Sequence, residues 1–258
     1  MALLSLRMIS KQFGALFALD DVSVDFEAGE IVAVLGDNGA GKSTLIKVVS
    51  GTYIADGGEI ILSGKTVAFS SPKDALEAGI QTVFQDLALC DNLDIVSNLF
   101  LGSEIRKSIL PGITVFDKKK MRQRAERLLS DLAVDLPNID ARVKDLSGGQ
   151  RQSVAIAKAV NAECRIIIMD EPTAALGVAQ TRKVLELVRS LKSRGMAVIY
   201  ITHNMHDVME VCDRCIIMKN GRKAGEVQTK SVTREELANM IITGDVPKRA
   251  FFPTALTA

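Results

Sequence analysis

The run Gly36-Asp-Asn-Gly-Ala-Gly-Lys-Ser-Thr44 has the spacing G-x-x-x-x-G-K-[ST]. It follows the apolar stretch Ile31-Val-Ala-Val-Leu35 and opens a helical pattern from Lys42 to Ser50, the strand–loop–helix setting in which this spacing cradles phosphates. Gly36, Gly39 and Gly41, with Asn38 and Ala40 between them, let successive backbone N–H groups wrap an anion. The helix N-terminus adds the positive end of its dipole. Lys42 reaches the outer phosphates, and the Ser43 hydroxyl, next to Thr44, is placed to ligate Mg²⁺. A glycine-rich turn capped by serine shares the composition, but not the lysine and both flanks.

Two further runs carry chemistry. Ile166-Ile-Ile-Met-Asp170-Glu171 puts two carboxylates at the C-terminal end of a buried strand, the edge where open α/β sheets bind ligands. Asp170 suits a Mg²⁺ shell, and Glu171, one residue on, is placed to polarise a water toward a terminal phosphate. Alone, such a run also marks a plain strand end; its weight comes from the phosphate loop in the same chain. In Leu146-Ser-Gly-Gly-Gln150, Ser147 stands three residues before Gln150, a capping box, and Val154, Ile156, Ala157 and Val160 continue a helix. Gly148 and Gly149 leave bare N–H groups at that start, which makes a second anion site. A second copy of the chain facing the first would explain it.

Positioning these groups requires a parallel sheet. Ile31–Leu35, Ile166–Met169 and Ala197-Val-Ile-Tyr-Ile201 are apolar runs of the kind expected for strands covered on both faces. Thr181 to Arg194 reads as a helix with Val184, Leu185, Leu187, Val188 and Leu191 on its apolar face, closed by Gly195. This alternation predicts an α/β fold with a mainly parallel sheet. Asn220-Gly221 between Cys215–Met218 and Ala224–Val227 signals a type I′ hairpin. With the strand-like runs of the first 30 residues it implies an antiparallel β layer beside the parallel sheet. Lys119 to Leu132 is an amphipathic helix with Met121, Ala125, Leu128, Leu129 and Leu132 apolar, and no buried strand is evident between about 95 and 160. An inserted helical subdomain is therefore expected at about 91–159. It would split a catalytic core of 1–90 and 160–230 inside one domain, 1–230. Thr233-Arg-Glu-Glu236 is a capping box for a last helix, and 231–258 then reads as that helix and a tail.

Composition limits the function classes. Across 258 residues, 32 Lys and Arg balance 31 Asp and Glu for a net +1, so no overall positive field draws in nucleic acid. No apolar run approaches the roughly 18 residues of a membrane span. The start, Met1 to Arg7, is short for a signal peptide, which places the expected site of action on the cytosolic side. Cys212 and Cys215 form one C-x-x-C with no second pair, and His203 and His206 stand at no familiar zinc spacing from them. Small buried thiols are the better reading.

With these motifs in this order, the chain resembles the ATP-binding subunit of ABC transporters over about residues 3–244. The resemblance implies ATP and Mg²⁺ as cofactors, and two ATPase domains closing head to tail, each ATP held between one phosphate loop and the other copy's Ser147 to Gln150. It implies that Gln85 in Val83-Phe-Gln-Asp86 touches Mg²⁺ and the attacking water. It implies that His203 in Ile201-Thr-His-Asn204 hydrogen-bonds the γ-phosphate, and that Phe13 in Lys11-Gln-Phe-Gly14 stacks on adenine. Many members carry Asp after a stretch like Glu171–Leu176; this chain has Gly177, which bears on coupling between the two sites rather than on ATP binding.

The stretches Glu171–Gly177 and Gln85–Gly102 are similar to the monosaccharide-importer branch, whose members often fuse two ATPase domains. One set of motifs implies a homodimer here. The implied setting is the cytoplasmic face of a membrane, peripheral, with a membrane permease and, indirectly, an extracytoplasmic sugar-binding protein as partners. A non-transport ATPase of the same superfamily or a low-turnover nucleotide sensor is the alternative. The apolar stretch Leu87 to Leu101 supplies an expected permease-docking surface centred on Leu89 to Leu93, with Val96, Leu99 and Phe100 as core.

Overall fold

The structure, a computed structural model, describes residues 2–110 and 112–247. The chain opens with β1 (Leu4–Phe13), β2 (Leu16–Phe26) and β3 (Ile31–Leu35), then α1 (Lys42–Val49), β4 (Gly57–Leu62), β5 (Lys65–Val67), α2 (Pro72–Glu77) and β6 (Ile80–Val83). Next come α3 (Ile95–Phe100), a hairpin of β7 (Arg106–Leu110) and β8 (Ile113–Phe116), α4 (Lys118–Asp131) and α5 (Gly148–Asn161). The rest alternates: β9 (Ile166–Asp170), α6 (Val178–Ser193), β10 (Ala197–Ile201), α7 (Met205–Val211), β11 (Arg214–Lys219), β12 (Arg222–Gln228) and α8 (Arg234–Thr243).

Two sheets organise these elements. The larger has the order β12-β11-β3-β10-β9-β6, parallel except for β12; the smaller, β2-β1-β4-β5, is antiparallel. The apolar runs of β3, β9 and β10 are buried on both faces because each face has its own core. Ala33, Leu35, Ile167, Met169, Val198, Tyr200 and Ile217 point into one core with α3 to α6. Their neighbours Val32, Val34, Ile166, Ile168, Ile199, Ile201 and Ile216 point into a second, with α1 and the antiparallel sheet. The two-residue period of a strand does this sorting. Such side chains stabilise the fold by roughly 1.5–3 kcal/mol each when fully buried.

The Asn220-Gly221 turn has φ of 49° and 77°, the two positive values a type I′ hairpin needs. Its place differs from the sequence expectation. β11 lies parallel to β3 inside the main sheet and β12 forms that sheet's edge, so this hairpin is not part of the antiparallel layer. The α6 side chains Val184, Leu185, Leu187, Val188 and Leu191 are all buried, as are Met121, Ala125, Leu129 and Leu132 of the α4 segment; Leu128 is partly buried. The hairpin of β7 and β8, between α3 and α4, has no counterpart in the sequence pattern; its residues are almost all exposed, so no apolar run announces it. Thr233 and Glu236 form the reciprocal cap of α8, which ends at Gly244 in a left-handed conformation. The tail beyond residue 247 lies outside the described residues.

Cys212 and Cys215 are buried. Burial pushes the Cys215 thiol up to about 11 and Cys212 higher than its ordinary range, so both remain neutral, inert thiols.

Candidate functional site

Four parallel strands end side by side, and each hands a polar residue to the same edge. Leu35 at the end of β3 leads into the phosphate loop. On β9, Asp170 is the register partner of Ile201 on β10, so Thr202 and His203 follow directly beside Glu171. On β6, Val83 pairs with Met169, so Gln85, two residues on, stands at the same edge beyond the strand pairing. Gln85 is exposed there.

The phosphate loop depends on its glycines at two close approaches. A Cβ on Gly36 would fall 2.4 Å from the Met218 carbonyl oxygen and 2.8 Å from Cβ of Ala40. One on Gly41, which has φ +102°, would fall 2.7 Å from the Ala18 carbonyl oxygen. The type I′ turn is part of this seat: the N–H of Gly221 donates to the Ala40 carbonyl at 3.1 Å. Gly41 is the N-cap of α1 and no side chain caps that helix, so its first N–H groups are open to an anion. Lys42 Nζ donates to the carbonyls of Gly36 and Asp37 at 2.6 and 2.9 Å. Partial burial pulls this ammonium below its usual range, against the opposing pull of Glu171, Asp37 and Asp170. Ser43, Asn38 and Gly39 are exposed on the loop.

Glu171 is the most firmly held group of the edge. Its φ of +50° is uncommon for a residue with a Cβ. Its N–H donates to the Ile201 carbonyl at 2.8 Å. The carboxylate accepts from Thr202 Oγ1 at 3.0 Å and from the His203 N–H at 3.1 Å. His203 Nδ1 lies 2.8 Å from the same Glu171 Oε1. An ionised carboxylate only accepts, so Nδ1 carries the proton in this pair. Thr202 is a residue that sequence reasoning missed; its neighbour His203 gave the only signal. Beside Glu171, the Asp170 carboxyl is raised above its ordinary value, first by burial and then by the Glu171 charge, while Lys42 and Lys47 pull it back.

Two carboxylates and one partly buried ammonium leave this edge short of positive charge. The hydroxyl of Ser43, the carboxylate of Asp170 and the amide oxygen of Gln85 are hard oxygen donors that fit Mg²⁺. Among the described residues no group of three or more His, Cys, Asp or Glu is arranged to hold a metal alone. That matches an ion completed by phosphate oxygens and water rather than a closed protein cage.

Phe13, at the end of β1, is 44% exposed and packs edge-on against Tyr53, with ring centroids 5.2 Å apart. Lys11 Nζ sits 5.5 Å from the Phe13 ring and Lys47 Nζ 5.2 Å from the Tyr53 ring. Tyr53 also was not anticipated. It is one of only two tyrosines, two residues past the Gly51 that follows α1, and that was the available signal.

Ser147 to Gln150 lies apart from these groups. Gln150 N–H donates to Ser147 Oγ at 3.3 Å, and Ser147 N–H donates to Gln150 Oε1 at 2.9 Å, closing the reciprocal cap of α5. A Cβ on Gly149 would fall 2.7 Å from Cβ of Gln180, so the α6 side chain fixes glycine there. A cavity of about 420 Å³ opens beside this helix start, walled by Ala133, Gln180, Lys183 and Ser190 among others and by no residue of the phosphate loop. Gly177 is the N-cap of α6 and offers no side-chain cap.

The family model described as ABC transporter matches residues 19–174. Over 93% of its length the chain is 46% identical to the xylose/arabinose import ATP-binding protein XylG of Sulfolobus acidocaldarius, covering 93% of that protein. Over 96% of its length it is 44% identical to the fructose import ATP-binding protein FrcA of Rhizobium meliloti, covering 96% of that protein. The solved dimeric structure of an ATP-binding cassette in a post-hydrolysis state, bound to ADP and Pi, matches with a TM-score of 0.72 at 25% identity, over 88% of this chain and 98% of that one. The chain belongs to the ABC transporter family, as one of its ATP-binding cassettes. Among the described residues no helix is long and apolar enough to cross a membrane.

Proposed function

We propose that this ATPase energises the import of a monosaccharide through a membrane permease, held peripherally at the cytoplasmic face, with an extracytoplasmic sugar-binding protein delivering the sugar. The observation that carries the reading is the single edge on which the phosphate loop, Asp170, Glu171 and His203 meet. Two relatives of full matching length are named for sugar import, and they differ in the sugar, which fits a chain that holds the motor and not the sugar pocket.

In this reading Gly36 to Thr44 wraps the phosphates and Lys42 neutralises the outer ones. Phe13, with Tyr53 behind it, supplies the surface on which adenine stacks. Ser43, Asp170 and Gln85 hold Mg²⁺, which when bound stabilises charge developing on the phosphoryl oxygens. Glu171, with its carboxylate fixed by Thr202 and His203, orients the attacking water, and His203 also contacts the γ-phosphate. Ser147 to Gln150 of a second copy close over the nucleotide, so the working unit is a head-to-tail homodimer. ATP favours the closed pair and hydrolysis reopens it.

The proposed permease surface keeps Leu93 of the expected Leu89 to Leu93 stretch and extends away from Leu89. Leu89 is partly buried and packs against the main core, as does Leu87, while Leu99 and Phe100 are fully buried and Val96 only partly. A groove of about 380 Å³ opens nearby, lined by Leu93, Val96, Leu101, Phe116 and Met121 with a polar rim including Asp94 and Arg122. That groove is the seat proposed for a short permease helix, and Leu89→Glu is expected to lower stability as well as to act on docking.

The test is reconstitution with a membrane permease of a monosaccharide importer. ATP-driven uptake of labelled fructose, ribose or xylose into membrane vesicles, abolished by Glu171→Gln, is the expected result. ATP hydrolysis with no associated membrane protein would favour the non-transport alternative.

A further inference from the structure

The hairpin of β7 and β8 has apolar side chains that nothing covers among the described residues. Ile109 and Leu110 are each 59% exposed and Ile113 is 52% exposed. Leu110 and Ile113 are register partners, and the register shifts between Ser108 and Leu110, so Ile109 is the extra residue of a bulge beside that apolar pair. A two-stranded ribbon is marginal on its own, which calls for an environment that holds it.

The charge pattern points the same way. Arg106 and Lys107 stand at the base of the hairpin, about 13 and about 10 Å from Leu110 at roughly 3.3 Å per residue. Lys118, Lys119 and Lys120 follow directly where α4 begins, all exposed. Between residues 106 and 124 the chain carries seven Lys or Arg and one carboxylate, Asp117, although the whole chain is only +1. The Arg106 guanidinium lies 5.8 Å from the Phe116 ring, and Lys107 pairs only at 3.9 Å with Asp117. An apolar tip above a cationic base is the arrangement that settles at the boundary of an anionic bilayer.

The geometry points to the β7–β8 hairpin as a lipid-contacting element, its Ile109, Leu110 and Ile113 entering the headgroup layer of an anionic membrane while Lys107, Lys119 and Lys120 pair with lipid phosphates. Its biological setting rests on the reading of this chain as a transporter subunit, but lipid contact is measured on the isolated protein and transport is not needed to see it. Failure of sugar uptake and failure of lipid binding are therefore separate results.

The chain has no tryptophan, so Leu110→Trp gives a single reporter. Its emission should shift to the blue on adding vesicles of phosphatidylcholine with about a third phosphatidylglycerol. The shift should be absent with phosphatidylcholine alone and reversed by high salt. In the same background Lys107→Gln, Lys119→Gln and Lys120→Gln together should raise the lipid concentration needed about a hundredfold, at about fivefold per charge. ATP hydrolysis by the isolated chain, measured alongside, shows that each variant is folded. No shift at millimolar lipid, an equal shift with both vesicle types, or a shift only on adding the permease in detergent would each overturn the proposal, the last assigning the hairpin to a protein partner.

Discussion

Two glycine-rich helix starts, those of α1 and α5, are built on opposite principles. At α1 the cap is Gly41, with no side chain spending the helix N–H groups, and the loop is clamped by the Met218 and Ala18 carbonyls and the Gly221 turn. At α5 the Ser147 and Gln150 side chains satisfy one N–H each and leave those of Gly148 and Gly149. The first start is surrounded by groups of its own chain that read a phosphate: Lys42, Asp170, Glu171. The second has an anion-binding start and no catalytic group beside it. In the proposed reading, one region is complete within the chain, and the other is a half-site that gains meaning only against another copy.

The sharpest test of that contrast lies on the complete side. Glu171→Gln should lower turnover about a thousandfold, the scale of losing a general base, while ATP still binds. Gel filtration should then show ATP-dependent dimers accumulating, because the closed state is no longer consumed. Turnover near that of the unaltered protein would remove Glu171 from the role.

A paired substitution separates the regions directly. Lys42→Ala should weaken ATP binding by roughly 10- to 100-fold, the worth of a charge-assisted contact of about 1.5–3 kcal/mol. Ser147→Arg should leave the isolated chain's ATP affinity within a few-fold and abolish dimerisation and hydrolysis. Equal losses of affinity, measured by titration with a fluorescent ATP analogue, would mean that Ser147 serves its own chain's site and that the contrast is false.

Within the α5 start, Gly149→Ala should cost about 1–3 kcal/mol in urea unfolding, the usual range for an overpacked contact, because the new methyl meets Gln180. An unchanged midpoint would show that α6 yields easily and that this helix start is more pliable than the phosphate loop.

The smallest effect on stability concerns Asp170. Its pKa is raised on folding, so the native state holds the proton more tightly than the unfolded chain. Stability is then lost as pH rises from the ordinary carboxylate value through the raised one, and the loss is complete above it. Asp170→Asn should therefore raise Tm at pH 7, with the gain fading as pH falls below the carboxylate range, while Mg²⁺-dependent hydrolysis disappears. A lower Tm at neutral pH would show that the carboxylate is held by attraction instead.

What the residues alone determined is whatever depends on short spacing. The phosphate loop, the Ser147 and Thr233 capping boxes, the type I′ turn at Asn220-Gly221 and the apolar stripe of α6 are set by φ preferences, helix caps and a 3.6-residue period. All of these act over a few residues, so they are legible in order along the chain. Residues named by resemblance, Gln85 and His203, were placed by motif order and not by any local preference. Tertiary packing decided how the pieces meet. The strand register put Thr202 and His203 on the Glu171 carboxylate, about 30 positions away, and seated the Gly221 turn under the phosphate loop. It moved the β11–β12 hairpin into the main sheet, put Tyr53 behind Phe13, and drew Leu89 onto the core. These contacts join segments far apart in sequence, where the choice is made by how two buried faces fit and not by any residue's own conformational preference. The β7–β8 hairpin escaped for the opposite reason. Its side chains are almost all exposed, so no buried face left a period in the sequence to read.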